Sequence, residues 1–193
     1  MSGVKNILLV GVGGQGIILA SKILSQGLIS AGYDVKMSEV HGMAQRGGSV
    51  TTQVRFGKKV YSPIIGKGQA DIVVSFEKME TLRWLDHLKI GGKVVVNDYE
   101  IPSAPILVGD AKYPENVISI LEEKASTTVF KAAEIAKELG NIRTMNIVML
   151  GALTKAMGLK DVAWEKILKN NVKEKFVDVN IQALRKGMEQ VEE

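Results

Sequence analysis

The chain contains no cysteine, which excludes disulfides, thiolate zinc sites and cysteine-ligated iron–sulfur clusters. Any cluster in an electron-transfer reaction that involves this chain therefore has to lie on another polypeptide. The two histidines, His41 and His87, are too few and too far apart to predict a metal site, and we expect none.

Long apolar runs are also missing, since no stretch approaches the ~18 consecutive apolar residues of a membrane-spanning helix. The first residues, Met1 to Asn6, lack the charged and apolar pattern of a secretory signal. We therefore expect a cytoplasmic protein that does not bind a membrane.

Aromatic residues make up only 5% of the chain, and the net charge of +4 is unevenly distributed. Residues 1–60 hold seven Lys/Arg against two Asp/Glu. A nucleic-acid interface would need a basic stripe with aromatic residues or a known reading module, and neither is present. The excess positive charge indicates a solvated face, with an anionic ligand or an acidic partner surface as the alternative.

The order of apolar patterns predicts an α/β protein. At 193 residues and 46% apolar content, the chain is long enough to bury one core, so we expect residues 1–193 to form a single domain. Alternating strand and helix patterns predict a Rossmann-like, open, mostly parallel sheet. Ser49–Phe56, the turn at Gly57, and Val60–Ile65 further predict an antiparallel hairpin.

The second half of the chain is predicted to end in a helical region. Residues 144–157 are apolar almost all round, which is typical of a helix buried in the core or in a subunit contact. From Asp161 onward the pattern is helical, with one apolar stripe formed by Phe176, Val177, Ile181, Leu184, Met188 and Val191.

The first motif is Gly11-Val12-Gly13-Gly14-Gln15-Gly16, placed between a predicted strand and a predicted helix. Such a turn allows backbone N–H groups to approach an anion at a helix N-terminus. A dinucleotide site would also need an acid at the end of the second strand, and Glu39 is the candidate. Equally, the glycines could serve only to let the helix pack closely on the strand.

The second motif is Ser38-Glu39-Val40-His41-Gly42-Met43-Ala44-Gln45-Arg46-Gly47-Gly48-Ser49. Glycines beside Arg46 would let its guanidinium reach a carboxylate or phosphate, and His41 could donate a proton or bind a ligand. In a doubly wound sheet both motifs would lie at the carboxyl ends of neighbouring strands. We call the surface they would form together the composite surface: Gly11, Gly13, Gly14, Gln15, Gly16, Glu39, His41, Gln45, Arg46, Gly47, Gly48 and Ser49. No set of nucleophile, base and orienting residue can be assembled from the sequence, so we expect no catalytic residue on this chain.

Together the two motifs resemble the gamma-type domain of the 2-oxoacid:ferredoxin oxidoreductases. Within that family the segment Ser38–Val50 is similar to the beta subunit of the indolepyruvate-oxidising branch. The segments Val60–Pro63, Ala70-Asp71, Gly91-Gly92 and Met145–Leu153 fit the same family, so the resemblance covers nearly the whole chain.

The resemblance implies a division of labour between subunits. A larger alpha subunit would hold thiamine diphosphate, magnesium and iron–sulfur clusters, while this chain binds no cofactor. The complex would decarboxylate aryl pyruvates oxidatively to arylacetyl-CoA, with coenzyme A as co-substrate, and pass electrons to ferredoxin in aromatic amino-acid catabolism. The composite surface would face the alpha subunit near the thiamine site. Whether the isolated chain forms a homodimer through that surface stays open.

Three alternatives remain at this point. The chain could be the gamma subunit of another 2-oxoacid:ferredoxin oxidoreductase, or a free-standing NAD(P)-dependent oxidoreductase. It could also be a non-enzymatic α/β module that binds an anionic metabolite, given the basic first 60 residues.

Arg46→Ala tests the composite surface. We expect the variant to fold normally, because a loop arginine contributes little to a core, but to impair the activity or assembly of the complex. Circular dichroism would check folding, and co-purification with turnover would check function. Full turnover in an intact complex would contradict this role of Arg46.

Overall fold

The computed structural model describes residues 3–41 and 47–192, and within them it shows one mixed sheet between two layers of helices. The strands are β1 (Lys5–Val12), β2 (Asp34–His41), β3 (Ser49–Gly57), β4 (Ala70–Ser75), β5 (Leu88–Asn97) and β6 (Ser126–Phe130). Their order across the sheet is β2-β3-β1-β4-β5-β6, and β3 alone among these six strands runs in the direction opposite to the other five. The predicted fold class, an open and mostly parallel α/β sheet with an antiparallel pair, is confirmed.

The predicted partner of the antiparallel strand was wrong. Val60–Ile65 forms no strand, and β3 instead pairs with β2 on one side and β1 on the other, which leaves no free edge for a further strand. Side chains of β3 hold the 60–65 segment across the sheet face. Arg55 Nη1 donates to the carbonyl oxygens of Ser62 and Ile64, and Gln53 Oε1 accepts from the Ile65 N–H at 2.6 Å.

The position of β3 also corrects the expected placement of the two motifs. β1 and β2 are not neighbours, because β3 lies between them. Since β3 is antiparallel, its first residue, Ser49, lies opposite Val12 at the end of β1. The end of the second motif therefore still lies beside the first motif, at the edge of the sheet where the parallel strands end.

Helices cover both faces of the sheet. The helices are α1 (Ile17–Ser30), α2 (Lys78–Trp84), α3 (Ala104–Leu107), α4 (Val117–Lys124), α5 (Ala132–Glu138), α6 (Met145–Ala156), α7 (Trp164–Lys169) and α8 (Val177–Glu189). The main core lies between one sheet face and α1 with α5 to α8, while α2 and α4 cover the other face. No helix in the described part of the chain combines the length and apolar character needed to cross a bilayer.

The C-terminal helices agree with the sequence pattern except at Phe176. All residues of α6 from Met145 to Thr154 are buried, as predicted for an apolar helix in the core. In the predicted stripe, Leu184 is buried and Ile181, Met188 and Val191 pack against the core. Phe176 instead lies in a short 3-10 turn before α8, where it is exposed and contacts the Lys175 ammonium.

Two glycines set the distance between α6 and α8. A Cβ atom on Gly151 would lie 2.0 Å from the Leu184 carbonyl oxygen, and one on Gly187 would lie 1.9 Å from the Val148 carbonyl oxygen. Neither distance is possible for a real side chain. The two helix backbones therefore touch directly, with each glycine facing a carbonyl group of the other helix.

We predict that Gly151→Ala and Gly187→Ala each lower the free energy of unfolding by about 1–3 kcal/mol, because the added methyl group overpacks the crossing. In an open helix position the same change would stabilise. Since both substitutions disrupt the same helix contact, the double variant should lose less free energy of unfolding than the two single variants lose in sum. Urea unfolding measures this, with exposed Gln182→Ala on α8 as control. Stabilisation by either glycine substitution would contradict the direct contact.

Candidate functional site

The glycine loop, Gly11–Gly16, is braced from inside by the buried side chain of Gln15. Gln15 Oε1 accepts from the Val12 N–H at 2.7 Å, and Gln15 Nε2 donates to the Phe76 carbonyl oxygen at 2.7 Å. A Cβ atom on Gly11 would lie 2.6 Å from Gln15 Oε1. Gly11 is therefore needed to leave room for this amide, which ties the loop to the end of β4.

Helix α6 braces the other end of the loop. Asn146, in its first turn, is buried and donates from Nδ2 to the Gly16 carbonyl oxygen at 3.1 Å. Gly16 has φ 77°, which favours glycine, and a Cβ atom there would lie 2.6 Å from Asn146 Nδ2. The loop is thus fixed between β4 and α6.

The two motifs touch through their backbones. The Gly13 N–H donates to the Gly48 carbonyl oxygen at 2.8 Å, immediately before Ser49 begins β3. Gly14 and Gly47 are exposed at this junction. The structure therefore brings Gly11–Gly16 and Gly47–Ser49 together, as the sequence predicted, although through β3 rather than β2.

Of the other residues of the composite surface, Glu39 alone has a side chain within the described residues, and it takes no part in this contact. Glu39 lies within β2 opposite Thr52, and its Oε1 is 3.5 Å from the Ser21 hydroxyl on α1. His41 ends β2, but its side chain lies outside the described residues, as do Gln45 and Arg46. His87, predicted to lie on the surface, lies before β5 at the opposite edge of the sheet, with Nδ1 2.7 Å from Asp86 Oδ1.

This geometry disfavours a dinucleotide site. Three N–H groups of the glycine loop, those of Val12, Gly13 and Gln15, are already bonded within the protein. The strand beside β1 on that side is β3, so Glu39 is one strand further away than the ribose-binding acid of a dinucleotide fold. The structure supports the alternative in which the glycines serve close packing.

A second cluster, which the motif search missed, lies between β4 and α2. We call residues Phe76–Glu80 the β4–α2 junction. The Phe76 carbonyl oxygen accepts from both Gln15 Nε2 and Asn97 Nδ2, at 2.7 and 3.1 Å. The sequence did carry a signal for this cluster, because a polar residue directly follows each of two predicted strands. These residues are Glu77 after residues 71–76 and Asn97 after 94–96.

Glu77 is fully buried and its carboxylate joins several segments. It caps α2 by accepting from the Glu80 N–H at 2.9 Å, and it also accepts from the Ile101 N–H at 3.3 Å and from the Tyr113 hydroxyl. Burial, and then the Glu77 carboxylate, raise the pKa of Tyr113, so this phenol stays a hydrogen-bond donor. The chain after β5 is thereby held against α2.

Glu80 connects the junction to the second motif. Only 3% exposed, it accepts from the Ser49 hydroxyl at 2.5 Å, and its other oxygen lies 3.3 Å from Arg83 Nε. Burial raises the pKa of Glu80, against the hydrogen bond from Ser49 and the charge of Arg83, and nearby Glu77 raises it further. A buried acid thus holds the first residue of β3.

An open cleft of about 570 Å³ runs along the glycine loop. Its wall across from the loop includes Tyr99, Ile101, Ile142 and Arg143, and Leu19 and Ile142 are exposed apolar side chains.

The described residues contain no group of three His, Asp or Glu side chains that could hold a metal ion. With no cysteine anywhere in the chain, the donor set does not fit an iron–sulfur cluster.

Residues 6–190 match the family described as pyruvate ferredoxin/flavodoxin oxidoreductase. The chain belongs to this family. It is 41% identical over 194 residues to the indolepyruvate oxidoreductase subunit IorB of Pyrococcus horikoshii, covering 97% of this chain and 96% of that protein. Identity to the subunit of the same name from Thermococcus kodakarensis is 40% over 194 residues, with the same coverage.

A solved structure shares the fold of this family member along its whole length. The pyruvate oxidoreductase subunit PORC from Thermotoga maritima superimposes with a TM-score of 0.77 at 25% identity, covering 98% of this chain and 97% of that one. The family resemblance inferred from the motifs is therefore confirmed. The relatives are subunits of 2-oxoacid oxidoreductases, which implies that further subunits complete the enzyme.

The raised pKa of Glu80 predicts a distinct pH dependence of stability. Because the folded state binds this proton more tightly than the unfolded chain does, the contribution of Glu80 is fully present below the unfolded value of about 4.3 and is lost as pH rises through the folded pKa. Glu80→Gln does not titrate. The free energy of unfolding of the original chain, minus that of Glu80→Gln, should therefore fall as the pH rises from about 4.3 through the folded pKa of Glu80. Urea unfolding across this range measures it, and a difference that is flat or rises would contradict the assignment.

Proposed function

We propose that this chain is the cluster-free subunit of an indolepyruvate:ferredoxin oxidoreductase. The assembled enzyme would convert an aryl pyruvate and coenzyme A to arylacetyl-CoA and carbon dioxide, with the electrons passed to ferredoxin. The observation that carries this proposal is identity of 40–41%, across 97% of the chain, to subunits that bear that substrate in their name.

The cofactors in this proposal belong to a larger alpha subunit. Thiamine diphosphate, when bound there with magnesium, supplies the stabilised carbanion that decarboxylation needs. Iron–sulfur clusters on the alpha subunit would carry the electrons onward. The absence of cysteine from this chain supports that division, because a cluster here would have no thiolate ligands.

The role we propose for this chain is to close the active site of its partner. The composite surface would contact the alpha subunit near the thiamine site, with Gly14 and Gly47 at its exposed junction. Support comes from the bracing of the glycine loop by Gln15 and Asn146, since a preorganised surface loses less conformational freedom on binding. Exposed Ile18 and Leu19 beside the loop offer apolar area for such a contact.

Three expectations from the sequence complete the proposal. Residues 1–193 would act as one gamma-type domain, the complex would work in the cytoplasm, and the isolated chain could pair with itself through the composite surface. Self-pairing would then compete with binding to the alpha subunit, because both would use the same residues.

A second candidate is the gamma subunit of an enzyme for another 2-oxo acid. The structural likeness to the Thermotoga maritima pyruvate oxidoreductase subunit favours it as the alternative. The substrate then differs while the architecture and the division of cofactors stay the same.

The decisive experiment is an anaerobic pull-down of this chain, tagged at its C-terminus, from its native source. We expect a large, brown, cysteine-rich polypeptide to co-purify, and the complex to reduce ferredoxin with indolepyruvate in a thiamine- and coenzyme A-dependent reaction. Extract from untagged cells, taken through the same steps, is the control.

Side-by-side rates with pyruvate and 2-oxoglutarate separate the two candidates. Faster turnover of either of these over indolepyruvate would replace the first candidate by the second. Recovery of the chain alone with a bound nicotinamide dinucleotide would overturn both.

A further inference from the structure

Three separate loops at the carboxyl edge of the sheet are held by the same short segment. The glycine loop bonds to Phe76 through Gln15, and the chain after β5 bonds to Glu77 through Ile101 and Tyr113. The start of β3 bonds to Glu80 through Ser49. The β4–α2 junction therefore fixes the relative positions of all three.

Of these hydrogen bonds, the one from Ser49 to Glu80 is connected most directly to the composite surface. Ser49 follows Gly48, whose carbonyl oxygen accepts from the Gly13 N–H at 2.8 Å. A shift of Ser49 would therefore move the Gly47-Gly48 side of the contact between the two motifs, while Gln15 and Asn146 hold the other side. The hydroxyl–carboxylate distance of 2.5 Å is that of a strong, charge-assisted hydrogen bond.

Stability alone does not account for an acid at position 80. Its carboxylate is 3% exposed, and the fully buried carboxylate of Glu77 lies one turn earlier. Three groups affect the ionisation of the Glu80 carboxyl: Ser49, Arg83 and Glu77. Of these, only Glu77 carries a like charge. An apolar residue would avoid the cost of burying the charge, but it would not supply a directional acceptor for Ser49.

We propose that Glu80 is a positioning residue: through the Ser49 hydroxyl it sets the place of Gly47-Gly48 against the glycine loop, and so the shape that the alpha subunit binds. This inference rests on the proposed function, because it assumes that the composite surface contacts that subunit. Glu80 itself is too buried to touch the partner, so it acts only through Ser49.

The test measures the dissociation constant between the purified chain and the purified alpha subunit, with the free energy of unfolding of each variant in parallel. Ser49→Ala and Glu80→Ala should each weaken binding about tenfold, because Gly47-Gly48 would then have to be ordered during binding. The double variant should be no weaker than either single one, since both changes remove the same bond.

Conservative variants separate positioning from general stability. Ser49→Thr keeps the hydroxyl and Glu80→Gln keeps an acceptor, so both should bind within about twofold of the original chain. Exposed Glu123→Gln on α4, beside the opposite edge of the sheet, is the matched control. At a saturating concentration of this chain, the turnover rate of the complex should change little in any variant that still binds the alpha subunit.

The outcomes distinguish the two proposals. If the original chain binds and activates the alpha subunit but Ser49→Ala and Glu80→Ala bind equally well, the positioning role is wrong, even if both lower stability. Additive losses in the double variant would also overturn it. If the original chain neither binds nor activates, the proposed function itself fails.

Discussion

The structure of the site depends on the antiparallel pairing of β3 with β1, in which Ser49 lies opposite Val12. In a parallel pair the start of one strand would lie beside the start of the other, far from the glycine loop. Here the start of β3 meets the end of β1, and the Gly13 N–H can reach the Gly48 carbonyl oxygen. The same strand displaces β2 from the side of β1, which removes the neighbour that a dinucleotide-binding fold uses for the ribose.

Around that pairing, buried polar groups hold the carboxyl edge together with the apolar core beneath it. The Phe76 carbonyl oxygen accepts two amide donors, and Glu77 accepts three hydrogen bonds. Buried polar groups stabilise only when their partners are placed correctly, so such a network specifies one arrangement of its loops. Such an arrangement suits the contact with another subunit that we propose for this edge.

The sequence predicted the features that arise from local pattern. Apolar runs located β1, β4 and the centre of β5, and the all-apolar pattern located α6 in the core. The hairpin was wrong because the turn signal at Gly57 is local, whereas β3 pairs with β1, whose residues lie 37 to 51 positions earlier in the chain. Glu77 and Glu80 were missed for the same reason: their partners Tyr113 and Ser49 are 36 and 31 residues distant.

The glycine motif shows how one pattern can arise from two different requirements. In a dinucleotide enzyme the glycines make room for a pyrophosphate, whereas here Gly11 makes room for the Gln15 amide and Gly16 for the Asn146 amide. Both amides then hydrogen-bond to the backbone of the loop. The space next to two of the glycines is thus filled by the chain's own side chains, which brace the loop beside the open cleft. The glycine spacing therefore reports backbone crowding, and in this chain the crowding groups are the amides of Gln15 and Asn146.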